Sequence, residues 1–535
     1  MSEQPGYSME SKTPIHKLDD DSLLQIFSCY RLEDEHNWYV RLAWRKLVQV
    51  CQRWRSLIYN AWFHLDVYLL LTNDSPSIDR LNHLPPVPLV IDYSDITRTI
   101  SGKDGDNIYL GLHQHGRVQG VILRAPSSSS SLRMWLEPMN KLFPRLGYLS
   151  LASTNTEEMS PVLPELLRAP DLRQVSLHGI GLPKGWPLLS STTALSALSL
   201  THIRESCYFS PRHLVTHLQA LPHLEELSIG FGIPIPLPSS EGRLLPAPIP
   251  PVTLPTLRRL TFRGVGVYLD NLVAQINTPV LERLNLTLLF ELAFTLANLT
   301  EFICRTEGFG CLAARILFNK DGASIEAGFN EQRTIGKLSL HVNCEPLDWQ
   351  IDSSAQVCSA LRGALSVVEE LTVDLDVGGM ASDWEKSLDS TLWYELLLPF
   401  IGVKKLHVSP SLILELSQSL GSVAGGLVLE LLPELEKLEV QLEMGHSKNV
   451  FFLFVETRES IGRPVHLSVP PSQQPNKRPA MSEDRFESAF LQFTRSKGII
   501  RPGERDLVIN GQAINIWALH REVCARNGFE SVRLQ

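Results

Sequence analysis

The chain has no Cys-x-x-Cys pair. Its eight cysteines are scattered, and the closest two, Cys304 and Cys311, have no histidine near enough to complete zinc spacing, which excludes a zinc finger or ribbon. A Gly-rich phosphate loop, a nucleophile elbow and a His-Glu-x-x-His sequence are all missing, so the chain reads as non-enzymatic, with no cofactor and no metal. The opening residues, MSEQPGYSMESKTPIHKLDD, contain no apolar run, and no secretory leader is expected. Long uncharged apolar stretches are lacking too. The greasiest segment, 281–303, carries Glu282, Arg283, Glu291 and Glu301, which argues against a membrane span and for a buried strand followed by a helix. These absences place the chain in the cytoplasm or nucleus, with reduced and mostly buried thiols. Charge of one sign is in small excess: 49 basic against 58 acidic side chains, a net −9, weighs against non-specific nucleic-acid binding by the whole chain.

What is present is a repeat. A length of 535 residues exceeds one compact core and calls for several domains or an array. The nine letters LPHLEELSI (221–229) recur as FPRLGYLSL (143–151), APDLRQVSL (169–177), LPTLRRLTF (254–262), TPVLERLNL (278–286) and LPELEKLEV (432–440). Degenerate copies lie at 193–200, 334–340, 367–373, 402–408 and 463–469, mostly about 23–35 residues apart. In L-x-x-L-x-φ, with φ apolar, the final alternation suits a short strand with one buried face. Between copies come stretches with helical pattern: 160–170, 210–222, 268–279, 390–400 and 409–420, several opening with Ser-Pro. In one of them Leu214 and Leu218 share a face.

Strand plus helix at this period resembles the leucine-rich repeat. The resemblance implies an α/β repeat fold, an irregular solenoid of parallel strands and helices over 66–469, with a conventional α/β domain as the alternative. Residues 231–253, with seven prolines, read as a projecting loop, and 304–333 also breaks the spacing. The strand face would present Arg258, Arg259, Glu225, Glu226, Lys404, Lys405, Glu436 and Lys437, whose mixed sign gives no ligand charge.

Ahead of the array, IHKLDDDSLLQIF (15–27) predicts a helix with an aspartate cap and an apolar face of Leu23, Leu24, Ile26 and Phe27. WRKLVQVCQRWRSLIYNAWF (44–63) predicts a second, with Leu47, Val50, Cys51 and Trp54 on one stripe. The pattern L-x-x-x-x-L-L-x-I-F followed by L-x-x-V-C-x-R-W-R resembles an F-box over 14–65; Asp19 stands where that family usually has proline. The resemblance implies that this all-α unit docks the small adaptor subunit of a cullin-type (SCF) ubiquitin ligase while the repeats hold an unknown protein substrate near the charged conjugating enzyme. Leu18, Leu23, Leu24, Ile26, Phe27, Val50, Cys51 and Trp54 would be shared between the unit's own core and the adaptor interface. The alternatives are a non-catalytic interaction scaffold in which these helices only cap the array, and a chromatin protein.

Residues 1–13 read as a disordered tail and 470–482 as a linker. Beyond it, Phe486, Phe490 and Phe493 predict one helical stripe, and 511–532 predicts another through Ile516, Leu519 and Val523. F-x-x-F-x-x-x-x-G from Phe490 and G-x-x-I-N-I-W-x-L-H-x-x-V from Gly511 resemble the ARID DNA-binding domain, which would place Trp517 in the core with those stripes. The sequence stops at Gln535, before the groove-entering helix of that family, so little or no DNA binding is expected.

Overall fold

A computed structural model describes residues 14–29, 44–62, 64–65, 67–75, 87–95, 97–98, 100–125, 129–153, 161–232, 251–289, 294, 296–306, 312–328, 337–376, 390–422, 431–440, 451–468, 507–509 and 512–514. The chain divides into two compact units, Met1–Val469 and Pro470–Gln535.

The first unit begins with helices α1 (Asp20–Cys29), α2 (Trp44–Leu47) and α3 (Gln52–Asn60). Its strands are β1 (Leu69–Leu71), β2 (Leu89–Tyr93), β3 (Val118–Ala125), β4 (Tyr148–Ser153), β5 (Gln174–His178), β6 (Ala197–Ile203), β7 (Glu226–Phe231), β8 (Val252–Thr253) and β9 (Arg259–Gly264). They continue with β10 (Ile276–Asn277), β11 (Arg283–Leu289), β12 (Ala313–Asn319), β13 (Gly322–Ala327), β14 (Lys337–Asn343), β15 (Glu370–Leu375), β16 (Lys405–Val408), β17 (Lys437–Val440) and β18 (His466–Ser468). β8 and β10 pair with each other, and the rest form one sheet of 16 strands. The molecule is thus an α/β fold built on a large, mostly parallel sheet.

The leucine spacing sets the register of this sheet. One row of paired positions contains a residue from every strand, running from Leu71 at one edge through Ile91, Leu149, Leu198, Leu260 and Leu338 to Leu467 at the other. A second row two residues on, including Leu151, Leu200, Phe262 and Val408, lies on the same side, as the two-residue period of a strand requires. Both rows enter one core that extends from Leu71 to Val465. A fully buried leucine contributes roughly 1.5–3 kcal/mol, so a slip of one residue in any strand would forfeit several kcal/mol. Ten of the eleven copies of the L-x-x-L-x-φ unit end in strands of this sheet, and the last, 463–469, contributes β18 (His466–Ser468). Helices Gly102–His113, Gly266–Val273 and Leu347–Ala360 pack against strands of the sheet. Pro211–Leu218 is typical of the inter-strand helices: the Ser210 hydroxyl accepts from the His213 N–H (3.3 Å), and Leu214, Val215 and Leu218 are buried.

Several expectations need correction. The segment 160–170 has a helical pattern, but its described residues, 161–170, contain no α-helix; Pro164 and Pro170 cannot donate, and the segment is tied by isolated bridges Leu142–Arg168 and Val162–Gly181 instead. The break at 304–333 holds a hairpin, β12 and β13, which joins the middle of the sheet in the order β11-β14-β13-β12-β15. Among the described strands of the sheet, β13 alone runs antiparallel. Of the loop predicted over 231–253, Phe231 ends β7 and Val252–Thr253 is β8, while 233–250 lie outside the described residues. Two of the six described cysteines, Cys344 and Cys358, are buried; Cys29 and Cys304 are exposed.

In the second unit, β19 (Leu507–Ile509) pairs antiparallel with β20 (Gln512–Ile514), so the start of the helix predicted over 511–532 is strand. Val508 pairs with Ala513 and Leu507 with Ile514, and the β-branched Val508, Ile509 and Ile514 favour strand over helix here. No described helix is long and apolar enough to cross a membrane.

Candidate functional site

Two surfaces on the first unit combine specific geometry with exposed chemistry. The first is the helical unit. Its sequence starts α1 with Asp19, whose carboxylate accepts from the Ser22 N–H (2.7 Å), so the residue that departs from the F-box pattern serves as the helix cap. That N–H holds the Asp19 carboxyl below its ordinary range, helped by the Ser22 hydroxyl and, more weakly, by Arg53. Arg53 of α3 donates from Nη2 to Asp20 Oδ1 (2.6 Å) and to the Leu18 carbonyl (2.7 Å), clamping α3 to the start of α1. Below this clamp the Phe27 and Trp54 rings meet edge to face with centroids 4.8 Å apart. Leu23, Phe27, Trp44, Val48, Trp54 and Ile58 form a core of their own, closed by Val67 and Val87 from the chain that leads into β1 and β2.

The structure sorts the eight predicted adaptor residues into three groups. Leu23, Phe27 and Trp54 are buried; Leu18, Leu24 and Cys51 are half-buried against the same core; Ile26 and Val50 are exposed, at 46% and 59%. The stripe predicted along one helix over 44–63 is broken, because α2 ends at Leu47 and Cys51 is extended (φ −157°) ahead of α3. The break shifts the phase, and Val48 enters the core in place of Val50. The unit is also joined to the array: the Arg145 guanidinium lies 5.1 Å from the Trp62 ring centroid, and Arg117 Nε donates to the Val87 carbonyl (3.1 Å). The ARID-like residues Phe486, Phe490, Phe493, Ile516, Trp517, Leu519 and Val523 lie outside the described residues.

The second surface is the sheet face that alternates with the leucine rows. Most of the charges that the sequence placed there are held in ion pairs, across strands except for Lys437 and Glu439, which both belong to β17. Arg258 pairs with Glu282 and Arg259 with Glu226; Lys404 reaches Glu369 at 2.8 Å, while Lys405 and Lys437 reach Glu439 at 3.5 and 2.7 Å. Such exposed pairs are worth about 0–1 kcal/mol each and leave little net charge to attract a ligand.

Toward the C-terminal ends of the strands the face changes character. His178 of β5 pairs in register with Thr201 of β6 and its Nδ1 lies 3.1 Å from the Thr201 Oγ1. The next residue, His202, has a left-handed backbone (φ 54°) at the point where the β6–β7 register shifts. A bulge of this kind re-aims a side chain, and a non-glycine residue held there stores about 1–3 kcal/mol of strain. Its imidazole stacks on His178, centroids 5.1 Å apart and planes 16° from parallel. Gly232 leaves room for that ring, since a Cβ on it would stand 3.4 Å from the imidazole. Burial and then the neighbouring cations (His202, Arg124 and Arg204 beside His178; Arg204 and Arg263 beside His202) push both imidazoles below 6.5. Sequence reasoning missed this pair because the two histidines lie far apart along the chain and meet only once β5 and β6 are in register.

A pH dependence follows. In the unfolded chain each imidazole takes a proton near 6.5, and in the folded chain only at lower pH, so the unfolded state binds more protons between these values. Stability contributed by the pair is complete above pH 6.5 and is lost as pH falls through the folded pKa values. His217 and His341, also lowered by burial, act in the same direction. Melting temperatures recorded from pH 7.5 to 5 should fall with pH, and the His178→Gln/His202→Asn variant should fall less; parallel curves would refute the assignment.

No protein-family model matches the chain, and no curated protein matches it.

Proposed function

We propose that the chain is a substrate-recognition subunit of a cullin-type (SCF) ubiquitin ligase, with the α1–α3 unit an F-box that docks the ligase adaptor and the sheet a leucine-rich-repeat array that holds the substrate. The observation that carries this reading is the division of labour within the helices. Leu23, Phe27 and Trp54 close an internal core, while Ile26 and Val50, from the two halves of the F-box-like motif, remain exposed and apolar. Single exposed apolar side chains are common on any surface, but two of them within the motif halves that the resemblance assigns to adaptor docking are available as interface anchors. No residue of the chain performs bond chemistry in this reading; the subunit raises the effective concentration of a substrate lysine at the conjugating enzyme.

Binding of the purified full chain to the small adaptor subunit tests it. Ile26→Glu and Val50→Glu should each weaken binding by about 30-fold or more, the scale of an interface anchor, with the melting temperature unchanged. A second reading has its own support: Val67, Val87 and the Arg145–Trp62 contact join the helices to the sheet edge at β1, as a simple cap would require. If adaptor binding is absent, the cap reading stands and the ligase reading falls.

A further inference from the structure

The stacked histidines belong to a longer row. In paired register it reads Arg124 on β3, Ala152 on β4, His178 on β5 and Thr201 on β6. Beyond the bulge it continues with Gly230 on β7, Arg263 on β9, Thr287 on β11 and His341 on β14. His202 and Arg204 flank it at the end of β6, both close enough to perturb His178. Cationic or imidazole side chains thus alternate with Ala, Thr and Gly.

Arg124 and Arg263 are exposed and have no ion-pair partner among the described residues; of the cations elsewhere on this face, Arg259, Lys404, Lys405 and Lys437 are paired, while Arg283 at the start of β11 is not. Among the described residues, the carboxylate that acts on the histidines of the row is Asp321, beside His341. Asp374, farther along, is held by Arg315. A basic strip therefore sits on a chain whose net charge is −9.

We propose that this row is a binding strip for an extended, carboxylate-rich peptide segment laid across the strands. From β3 to β14 there are seven inter-strand steps, a span of about 34 Å at about 4.8 Å per step, which fits roughly ten residues of extended chain. Small side chains between these positions let a peptide backbone approach the sheet; each arginine then meets a carboxylate, and the neutral imidazoles between and beside the arginines offer N–H donors. The two exposed arginines, Arg124 and Arg263, stand five steps, or about 24 Å, apart, too far for one phosphate dianion to bridge but matched by separate carboxylates along an extended chain. Arg204 and Arg263 both act on His202, so a single phosphate at that point is the competing ligand, and the phosphoserine arm of the test below decides it. Single-stranded nucleic acid favours aromatic platforms between its cations, and no aromatic ring other than imidazole occupies the row. The strained, bulged backbone at His202 gives the strip a fixed donor at its centre.

The proposal names the ligand class of the repeat face and rests on the substrate-receptor reading for its biological use, but the binding itself is measurable on the chain alone. The probe is a fluorescent peptide of about twelve residues alternating Glu and Ser, titrated with the purified full chain at low and physiological salt and followed by anisotropy. Micromolar binding that weakens with salt is expected, with Arg263→Glu and Arg124→Glu each reducing affinity about 10-fold or more and leaving the melting temperature unchanged. A Lys/Ser peptide should not bind. Failure of the Glu/Ser peptide to bind, or binding indifferent to both arginine substitutions, overturns the proposal. So does tighter binding of a single-phosphoserine peptide in Gly/Ser context, or of an oligonucleotide of equal charge. Because neither arginine lies in the α1–α3 unit, both variants should still capture the ligase adaptor, so a failed strip and a failed docking reading give different results.

Discussion

Gly322→Val is expected to split the first unit into two independently melting parts. Gly322 opens β13 with φ 150°, a conformation that side chains with a Cβ rarely adopt, and a Cβ there would collide with the Val342 carbonyl oxygen of β14. The turn before it is held by Asn319, whose side-chain oxygen accepts from the Asp321 and Gly322 N–H groups at 2.9 and 3.1 Å. Neither the turn nor the neighbouring strand can yield without breaking the β13–β14 ladder. That ladder is a structural seam, since β14 touches β11 on one side while β12 on the other side of the hairpin carries β15 to β18. Loss of β13 would leave β12 with no partner toward the first half of the sheet. Backbone strain plus a carbonyl clash places the cost beyond about 4 kcal/mol, in the exceptional range for one substitution. Calorimetry should show two transitions where the parent shows one, and brief proteolysis should cut between 306 and 337; a single unshifted transition would show that the seam is not where the strand order puts it.

Leu284→Asp should be comparably severe but less local. Leu284 is fully buried and pairs in register with Leu260 and Leu338 in the apolar row that crosses the sheet. Removing the leucine costs about 2–5 kcal/mol through lost burial and the cavity left behind, and an unpaired carboxylate in its place adds several more unless it is protonated. The sum approaches the whole stability of an ordinary domain, about 5–15 kcal/mol. By contrast Ser228, one residue beyond Leu227 and on the open face, should tolerate alanine within about 0.5 kcal/mol. Urea titration of both variants checks the contrast; similar midpoints would mean that the two faces of the sheet had been assigned the wrong way round.

Much of this sheet was readable because leucine at fixed strand phase leaves few alternatives: a one-residue slip turns every leucine of a strand into water. The elements that escaped were those whose chemistry differs. β12 (AARILFN) and β13 (GASIEA) fill the core with alanine, isoleucine and phenylalanine, and β13 runs the other way, so no leucine template fits them. β3 escaped for the same reason, being built on Val118, Val121 and Leu123. Helix Gly102–His113 had a legible start in Ser101 and Asp104, which form a reciprocal capping box, but its glycines weaken the helical pattern. In the helical unit the motif located the core trio Leu23, Phe27 and Trp54; it could not separate Val48 from Val50, because a two-residue shift there depends on where α2 ends. The cationic row was hidden for a different reason: its members are single letters on eight strands, and only the register of the folded sheet aligns them.

Hydrogen–deuterium exchange of the full chain, alone and saturated with the small adaptor subunit of a cullin ligase, tests most directly whether the α1–α3 unit is a docking module. Ten-fold or greater slowing is expected in peptides covering 14–29 and 44–60, on the order of what a 1.4 kcal/mol or larger gain in local stability produces, with the strands from β4 to β18 unchanged. Exchange in those helices that is indifferent to the adaptor, or protection confined to the sheet, would contradict the proposal that this chain recruits substrates to such a ligase.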